Sequence, residues 1–245
     1  MNWTENRQAN KLTTVSRLLP LPLFTWLSTV SMKNLLSTHR RLAAVATLLP
    51  PGVAPEGSRG VILSESLRLF AEHGYGAASI RDIAERVGIK GASLYSHYPS
   101  KAHILAELVK IGHDEHYRRM RDAMLEAGSE PVQQLKAIMR AHVLAHAEFP
   151  MLAVVANAEM HALSEEFAAP SLEVRAQSEA LLLKVIERGV AAGVFKIVDP
   201  LLALAAIGAM GLRVAHWFNP DQGRTPEQVA ETFAQFACRV CGVMA

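Results

Sequence analysis

Between Ile80 and His97 two short helical patterns flank a single glycine, and this arrangement restricts the fold more than any other feature of the chain. Ser79 and Asp82 make an S-x-x-D helix start. Ile80, Ile83, Ala84 and Val87 then fall at i, i+3, i+4 and i+7, the buried face of a two-turn helix stopped by Gly88. Past the glycine, Ile89 and Leu94 are the only large aliphatics before Tyr95, so the next helix is short and shows Lys90, Gly91, Ser93, Ser96 and His97 largely to the outside. Upstream, Leu63, Leu67 and Phe70 mark a first helix that ends at His73 and Gly74; downstream, Ser100 opens a long helix carrying Ile104, Leu105, Leu108 and Val109.

Two short helices joined by a glycine turn make a helix-turn-helix, whose second member enters the major groove of DNA. A groove about 12 Å wide admits a helix with a slim leading face, and Gly91, Ala92 and Ser93 are slim. Lys90 is placed for a base edge or a phosphate. Tyr95, His97 and Tyr98 carry polar tips suited to phosphate oxygens, and Lys101 with the free amides of the long helix offers a positive helix end. A purely structural three-helix corner would need the buried spacing, the capping box, the glycine turn and the aromatic-lysine tail to coincide.

The run Ser79-Ile-Arg-Asp-Ile-Ala84, then Val87-Gly88-Ile89, Ser93-Leu94-Tyr95, His97-Tyr98 and Ser100-Lys101, resembles the N-terminal DNA-binding domain of the TetR family of transcriptional regulators, over residues Arg59 to Leu105. The resemblance implies an all-α homodimer with a three-helix DNA-binding head on each subunit and a larger C-terminal bundle that binds a small molecule and dimerises. It places Arg81, Lys90, Gly91, Ser93, Tyr95, His97 and Lys101 where family members meet an operator. One departure is visible: many members carry a small polar residue and then a basic one after the turn, whereas here Lys90 comes first and Gly91 follows. On this reading residues 56–104 form the head and 105–245 the ligand-binding and dimerisation domain.

Composition permits this and excludes little else. The chain has 245 residues, half of them hydrophobic, enough for a sizeable core; its net charge of +2 gives no global signal for a nucleic acid, so any electrostatic footprint is local. Residues 1–55 differ from the rest, with Pro20, Pro22, Pro50, Pro51 and Pro55 interrupting each apolar run. The stretch from Leu18 to Met32 follows Lys11 and Arg17 as a signal peptide's apolar region would, but is short for a membrane span and contains two of those prolines. The reading is a weakly ordered extension, with Met32 as a second candidate start, on a cytoplasmic protein with no membrane partner. Cys238 and Cys241, one helical turn apart, lack the further ligands of a zinc site and the strand-to-helix setting of a redox pair, and read as small core residues.

From His113 onward the pattern is helical, with no nucleotide-binding glycine loop. Leu135, Met139, His142 and His146 share one stripe, and Leu152, Val155 and Glu159 share a face of the next helix. Buried imidazoles and a carboxylate among apolar residues describe a ligand pocket, for which His113, Met139, His142, His146, Val155, Glu159 and Trp217 are the candidates. The segment His216 to Pro220 with Thr225-Pro226-Glu227-Gln228 is similar to the tail of family members that respond to acyl-CoA or related metabolites, which implies a small apolar effector of that type. No cofactor, metal site or catalytic residue is assigned. The competing reading is an all-α enzyme or metal-binding protein using His113, His116, His142 and His146, which have helical ligand spacing. For the dimer, Leu172, Ala176, Glu179, Leu183, Ile186 and Val190 form a heptad-like seam, and Val229, Phe233, Phe236 and Val240 repeat the rhythm. The expected contact therefore joins helices over roughly 171–192 and 226–243, with Leu204, Gly208, Gly211 and Ala215 giving a small-residue face between them.

Overall fold

In the computed structural model the described residues are 42, 45, 46, 48–52 and 55–243. They are helical throughout, with no strand among them. The expected weakly ordered extension and the stretch from Leu18 to Met32 fall mostly outside the described residues. Where the extension is described it joins the head: Leu42 is buried, and Val45 and Leu49 pack against the same core, upstream of the expected boundary at residue 56.

The head consists of α1 (Gly57–His73), α2 (Ile80–Val87) and α3 (Gly91–His97). In α1 the expected stripe of Leu63, Leu67 and Phe70 is fully buried, and the helix stops at Gly74 with φ +81°. Helix α2 starts on a capping box: Asp82 N–H donates to Ser79 Oγ at 3.1 Å, and Ser79 N–H donates back to Asp82 Oδ2 at 2.8 Å. The Ser79 hydroxyl also donates to Asp82 Oδ2 at 2.7 Å, and this bond, then the one from Ser79 N–H, holds the Asp82 carboxyl below the usual carboxylate range. Gly88 then turns the chain in the left-handed region, φ +75° and ψ +28°, which costs a glycine nothing. Arg86 donates to Glu72 at 2.9 Å and ties α2 back to α1.

Six further helices follow: α4 (Lys101–Glu126), α5 (Pro131–Glu148), α6 (Pro150–Ala158), α7 (Glu165–Ala191), α8 (Pro200–Leu212) and the short α9 (Val214–Trp217). The last described helix is α10 (Pro226–Val240), and its Thr225–Gln228 capping box with Pro226 at the first position matches the expected start. Asp199 caps α8 by accepting from the N–H groups of Leu201 and Leu202. Ser100 departs from expectation: its hydroxyl bonds His103 Nδ1 at 2.8 Å and caps no backbone amide. Proline at the start of α6 forces a bend of 98° between α5 and α6.

Two hydrophobic cores result. The first unites α1–α3 and the start of α4 with Met151, Leu152, Val154 and Val155 of α6. The second joins Met120 of α4 with α5, the C-terminal half of α7, and α8 to α10. Cys238 and Cys241 lie buried in it as free thiols, and burial pushes the Cys241 thiol up to about 11, as suits small core residues.

The faces left open are informative. The α7 seam divides: Leu172, Ala176 and Glu179 are exposed, whereas Ile186 is fully buried because the inward stripe of α7 runs through Ser171, Ser178, Leu182, Val185 and Gly189. On α10, Val229 is buried and Phe236 exposed. Helix α8 is open along one side, where Leu201 is 61 % and Leu202 69 % exposed beside exposed Ala205, Ala206 and Ala209. Pro200–Trp217 is also long and apolar enough to cross a membrane by composition alone.

Candidate nucleic-acid interface and ligand cavity

Helix α3 is held by one fully buried side chain, Leu94, and by the turn before it, where Ile89 N–H bonds Ala84 C=O at 3.0 Å. Everything else on its leading face is outside: Lys90, Ala92, Ser93, Tyr95 and Ser96 are exposed, with Gly91 and His97 partly so. A Cβ added at Gly91 would meet nothing within 4 Å, so the front of this helix is bare. Arg81 of α2 is exposed alongside. The structure thus leaves six expected contact residues open or partly open: Arg81, Lys90, Gly91, Ser93, Tyr95 and His97.

The other two are placed otherwise. Tyr98 is 1 % exposed within the head core, with the Arg59 guanidinium 4.6 Å above its ring, and burial raises its phenol pKa further. The expected phosphate contact from Tyr98 is corrected: its tip faces inward because α3 ends there and the next residue turns the chain toward α4. Lys101 sends its ammonium to the carbonyls of Tyr75, at 2.7 Å, and Ala78, at 2.6 Å, and over the Tyr75 ring at 4.1 Å. The ammonium expected at a phosphate is thus bonded to carbonyls of the α1–α2 loop. Burial lowers its pKa, partly offset by Asp82 and Glu159.

The second site is a cavity of about 450 Å³ between α4, α5, α6, α7 and α8. Its walls are mostly apolar, including Met120, Ile138, Met139, Leu152, Leu182 and Leu204. Imidazoles converge on it from two helices: His113 and His116 from α4, His142 and His146 from α5. Ring centroids of His116, His142 and His146 lie 4.7 to 5.2 Å apart. The hydrogen bonds fix the tautomers. His142 Nε2 lies 3.0 Å from Gly208 O and must donate, which leaves Nδ1 to accept from His116 Nε2 at 2.6 Å. His146 Nδ1 donates to His142 O at 2.8 Å, leaving its Nε2 with a lone pair. Burial drives the pKa of His116, His142 and His146 down, that of His146 to about 3 with His142 adding repulsion, so all three are neutral near pH 7. His113 is buried with Nε2 unpartnered among the described residues; burial, then Arg175, lowers its pKa. Gly211 is what lets α8 sit against this cluster, since a Cβ there would be 1.9 Å from His142 Cδ2.

Four of the seven expected pocket residues therefore meet: His113, Met139, His142 and His146. Three do not. Val155 is buried in the head core, and Glu159 lies by Gly74 at the end of α1, because the bend before α6 turns that face toward the head. Trp217 stacks on Phe233 of α10 at 6.1 Å rather than on the cavity. Sequence reasoning missed Arg175 and Glu179, which reach the cavity from α7 and bond each other at 3.1 Å. It also missed Glu115, lining the same cavity: burial pushes its carboxyl up, but bonds from Arg118 and Arg119 outweigh that and hold it below the usual range. The i, i+3 and i, i+4 spacing of these partners was the available signal.

Comparison with known proteins identifies the family of both halves of the described chain. Residues 62–108 match the family model of bacterial regulatory proteins of the tetR family, and residues 128–241 match that of the tetracyclin repressor-like C-terminal domain. The chain is 27% identical over 177 residues to the HTH-type transcriptional repressor KstR2 of Mycobacterium tuberculosis, covering 71% of this chain and 88% of that protein. It is similar to the crystal structure of the TetR family transcriptional regulator PfmR from Thermus thermophilus, with 32% identity, a TM-score of 0.66 and coverage of 73% of this chain and 97% of that one. A tetR-family regulatory protein from Rhodococcus superposes with a TM-score of 0.73 at 26% identity, over 78% of this chain and all of the other.

Proposed function

Because the chain belongs to the TetR family of transcriptional regulators, we propose that it is a ligand-responsive repressor that grips a pseudo-palindromic operator as a homodimer and lets go when a small apolar effector enters the cavity. The observation that carries this reading is the bare front of α3, with Leu94 inside and Lys90, Ser93 and Tyr95 outside. Lys90 and Ser93 read base edges, and Arg81, Tyr95 and His97 hold the backbone. Two such helices reach successive major-groove faces when about 34 Å apart, which a two-fold dimer supplies. The work is cytoplasmic, where operator DNA is.

The dimer contact is read through the open faces of α8 and α10, with Leu201, Leu202 and Phe236 at its centre. It differs from the expected pairing of α7 with α10 because Leu201 and Leu202 of α8 are more exposed than Leu172 of α7. An open strip of leucine and alanine on a helix anchored by Ala203, Ile207 and Gly211 is what a second copy would cover.

The cavity volume falls within the roughly 300–1,000 Å³ of small-molecule sites. Its make-up suits a mostly hydrocarbon molecule with a carbonyl-bearing end, such as an acyl thioester. The similarity to KstR2, described as a ketosteroid transcriptional regulator, supports an effector of that apolar, oxygenated kind. Effector binding releases DNA only to the extent that it favours a conformer in which the heads no longer match the operator.

The test is a mobility shift with DNA upstream of the protein's own reading frame, followed by site selection from random duplexes. A shift that is lost on adding acyl thioesters or steroid ketones, and a selected site that changes in Lys90→Ala, is expected. No retardation of any duplex in low salt overturns the reading.

A further inference from the structure

We propose that His116, His142 and His146 form a site for a divalent first-row transition ion of the zinc class, with one coordination position opening into the cavity. The site stands on imidazole geometry alone, and only its regulatory consequence rests on the effector reading above.

One nitrogen from each ring lies within 4.8 Å of the others. Donors sharing a tetrahedral ion at about 2.0 Å sit roughly 3.3 Å apart, so small ring rotations close the site. Two donors come from one helix at i, i+4 and the third from the facing helix, a rigid frame for three ligands. Two of the three outer contacts are already in place. His142 and His146 each donate their second N–H to a backbone carbonyl, of Gly208 and of His142 respectively, which leaves His142 Nδ1 and His146 Nε2 as lone pairs. Such bonds orient metal-binding imidazoles and raise their basicity. Without an ion, the His116 Nε2 proton fills the gap to His142 Nδ1. Binding moves that proton to His116 Nδ1 and gives Nε2 to the ion, with no net proton release.

Three neutral imidazoles leave the ion's double positive charge uncompensated. The fourth position then draws an anionic or strongly dipolar oxygen, from water or from the carbonyl or carboxylate of an effector. His113, whose buried Nε2 has no partner among the described residues, lines the same cavity and is available to hydrogen-bond that group.

The experiment strips the purified full chain with a chelator and titrates it with Zn2+ against a chromophoric competitor, and with Co2+ by visible absorbance. One ion per chain with submicromolar affinity, and the d–d bands of four-coordinate Co2+, are expected. His142→Ala and His116→Gln should each weaken uptake at least about 100-fold. Glutamine at 116 can still donate to His142 Nδ1, so this variant keeps its melting temperature and separates ligand loss from unfolding. His161→Ala, on an exposed residue outside the cavity, should leave uptake unchanged. Absence of stoichiometric uptake, or uptake surviving both histidine variants, overturns the proposal. Mobility shifts on the same samples keep the two readings apart: operator binding without ion uptake removes only the ion site, and ion uptake without operator binding removes only the regulator.

Discussion

Replacing Lys101 by methionine removes one ammonium while keeping most of the stem, and the structure states what should follow. The ammonium bonds two loop carbonyls at 2.7 and 2.6 Å and covers the Tyr75 ring. Hydrogen bonds to a charged group contribute about 1.5–3 kcal/mol each, and partial burial of the ammonium opposes them, so a net loss of roughly 2 kcal/mol is expected. At about 2–4 °C per kcal/mol for a chain of this size, the melting temperature should fall by about 4–8 °C. Had Lys101 gripped a phosphate, its removal would shrink the slope of log K against log salt by about 0.9. With the charge spent inside the head, Lys101→Met should leave that slope unchanged, and any loss of operator affinity should be the same at every salt concentration. Thermal melts and binding isotherms over a salt series decide the matter. A slope smaller by about one unit with an unaltered melting temperature would refute the assignment of Lys101 as an internal clamp.

Gly211→Ala should push the His142 ring off Gly208, costing about 1–3 kcal/mol by overpacking and abolishing the effector response while ligand-free operator binding survives; melts and effector titrations check both parts. Gly88→Ala meets no neighbouring atom, so its effect should be backbone strain alone, about 1 kcal/mol, read as a lower urea midpoint; an unchanged midpoint contradicts the left-handed turn. Leu202→Glu should yield a folded monomer by sedimentation, with operator affinity lost at protein concentrations where the parent is dimeric; a dimer that persists places the contact elsewhere.

The head was legible because its rules are local. Periodicity, a capping box and one left-handed glycine determine α2 and α3 within about 20 residues of chain, and Leu94 as sole anchor of α3 could be read directly. The histidine stripe was legible for the same reason, since i, i+4 spacing on α5 needs no tertiary knowledge. What escaped depends on partners distant in sequence. Nothing near Lys101 announces that carbonyls of residues 75 and 78 await its ammonium. Val155 and Glu159 were assigned the wrong side because the bend of 98° before α6 resets which face looks inward. The α7 seam is legible only as a stripe, because heptad spacing does not say whether it meets its own chain or another, and on α7 the seam is exposed toward Leu172 and buried toward Ile186.

Helix α6 has one further consequence. Leu152, Ala153 and Ala156 form part of the cavity wall, while Met151, Val154 and Val155, with Leu152 again, sit in the core of the head, so a single helix of nine residues is shared property. Grafting the head of one regulator onto the sensing bundle of another by cutting between α3 and α4 would pair a foreign base with this partition. Hybrids built that way should bind DNA yet ignore their inducer, unless the graft carries α6 along with the helices it supports.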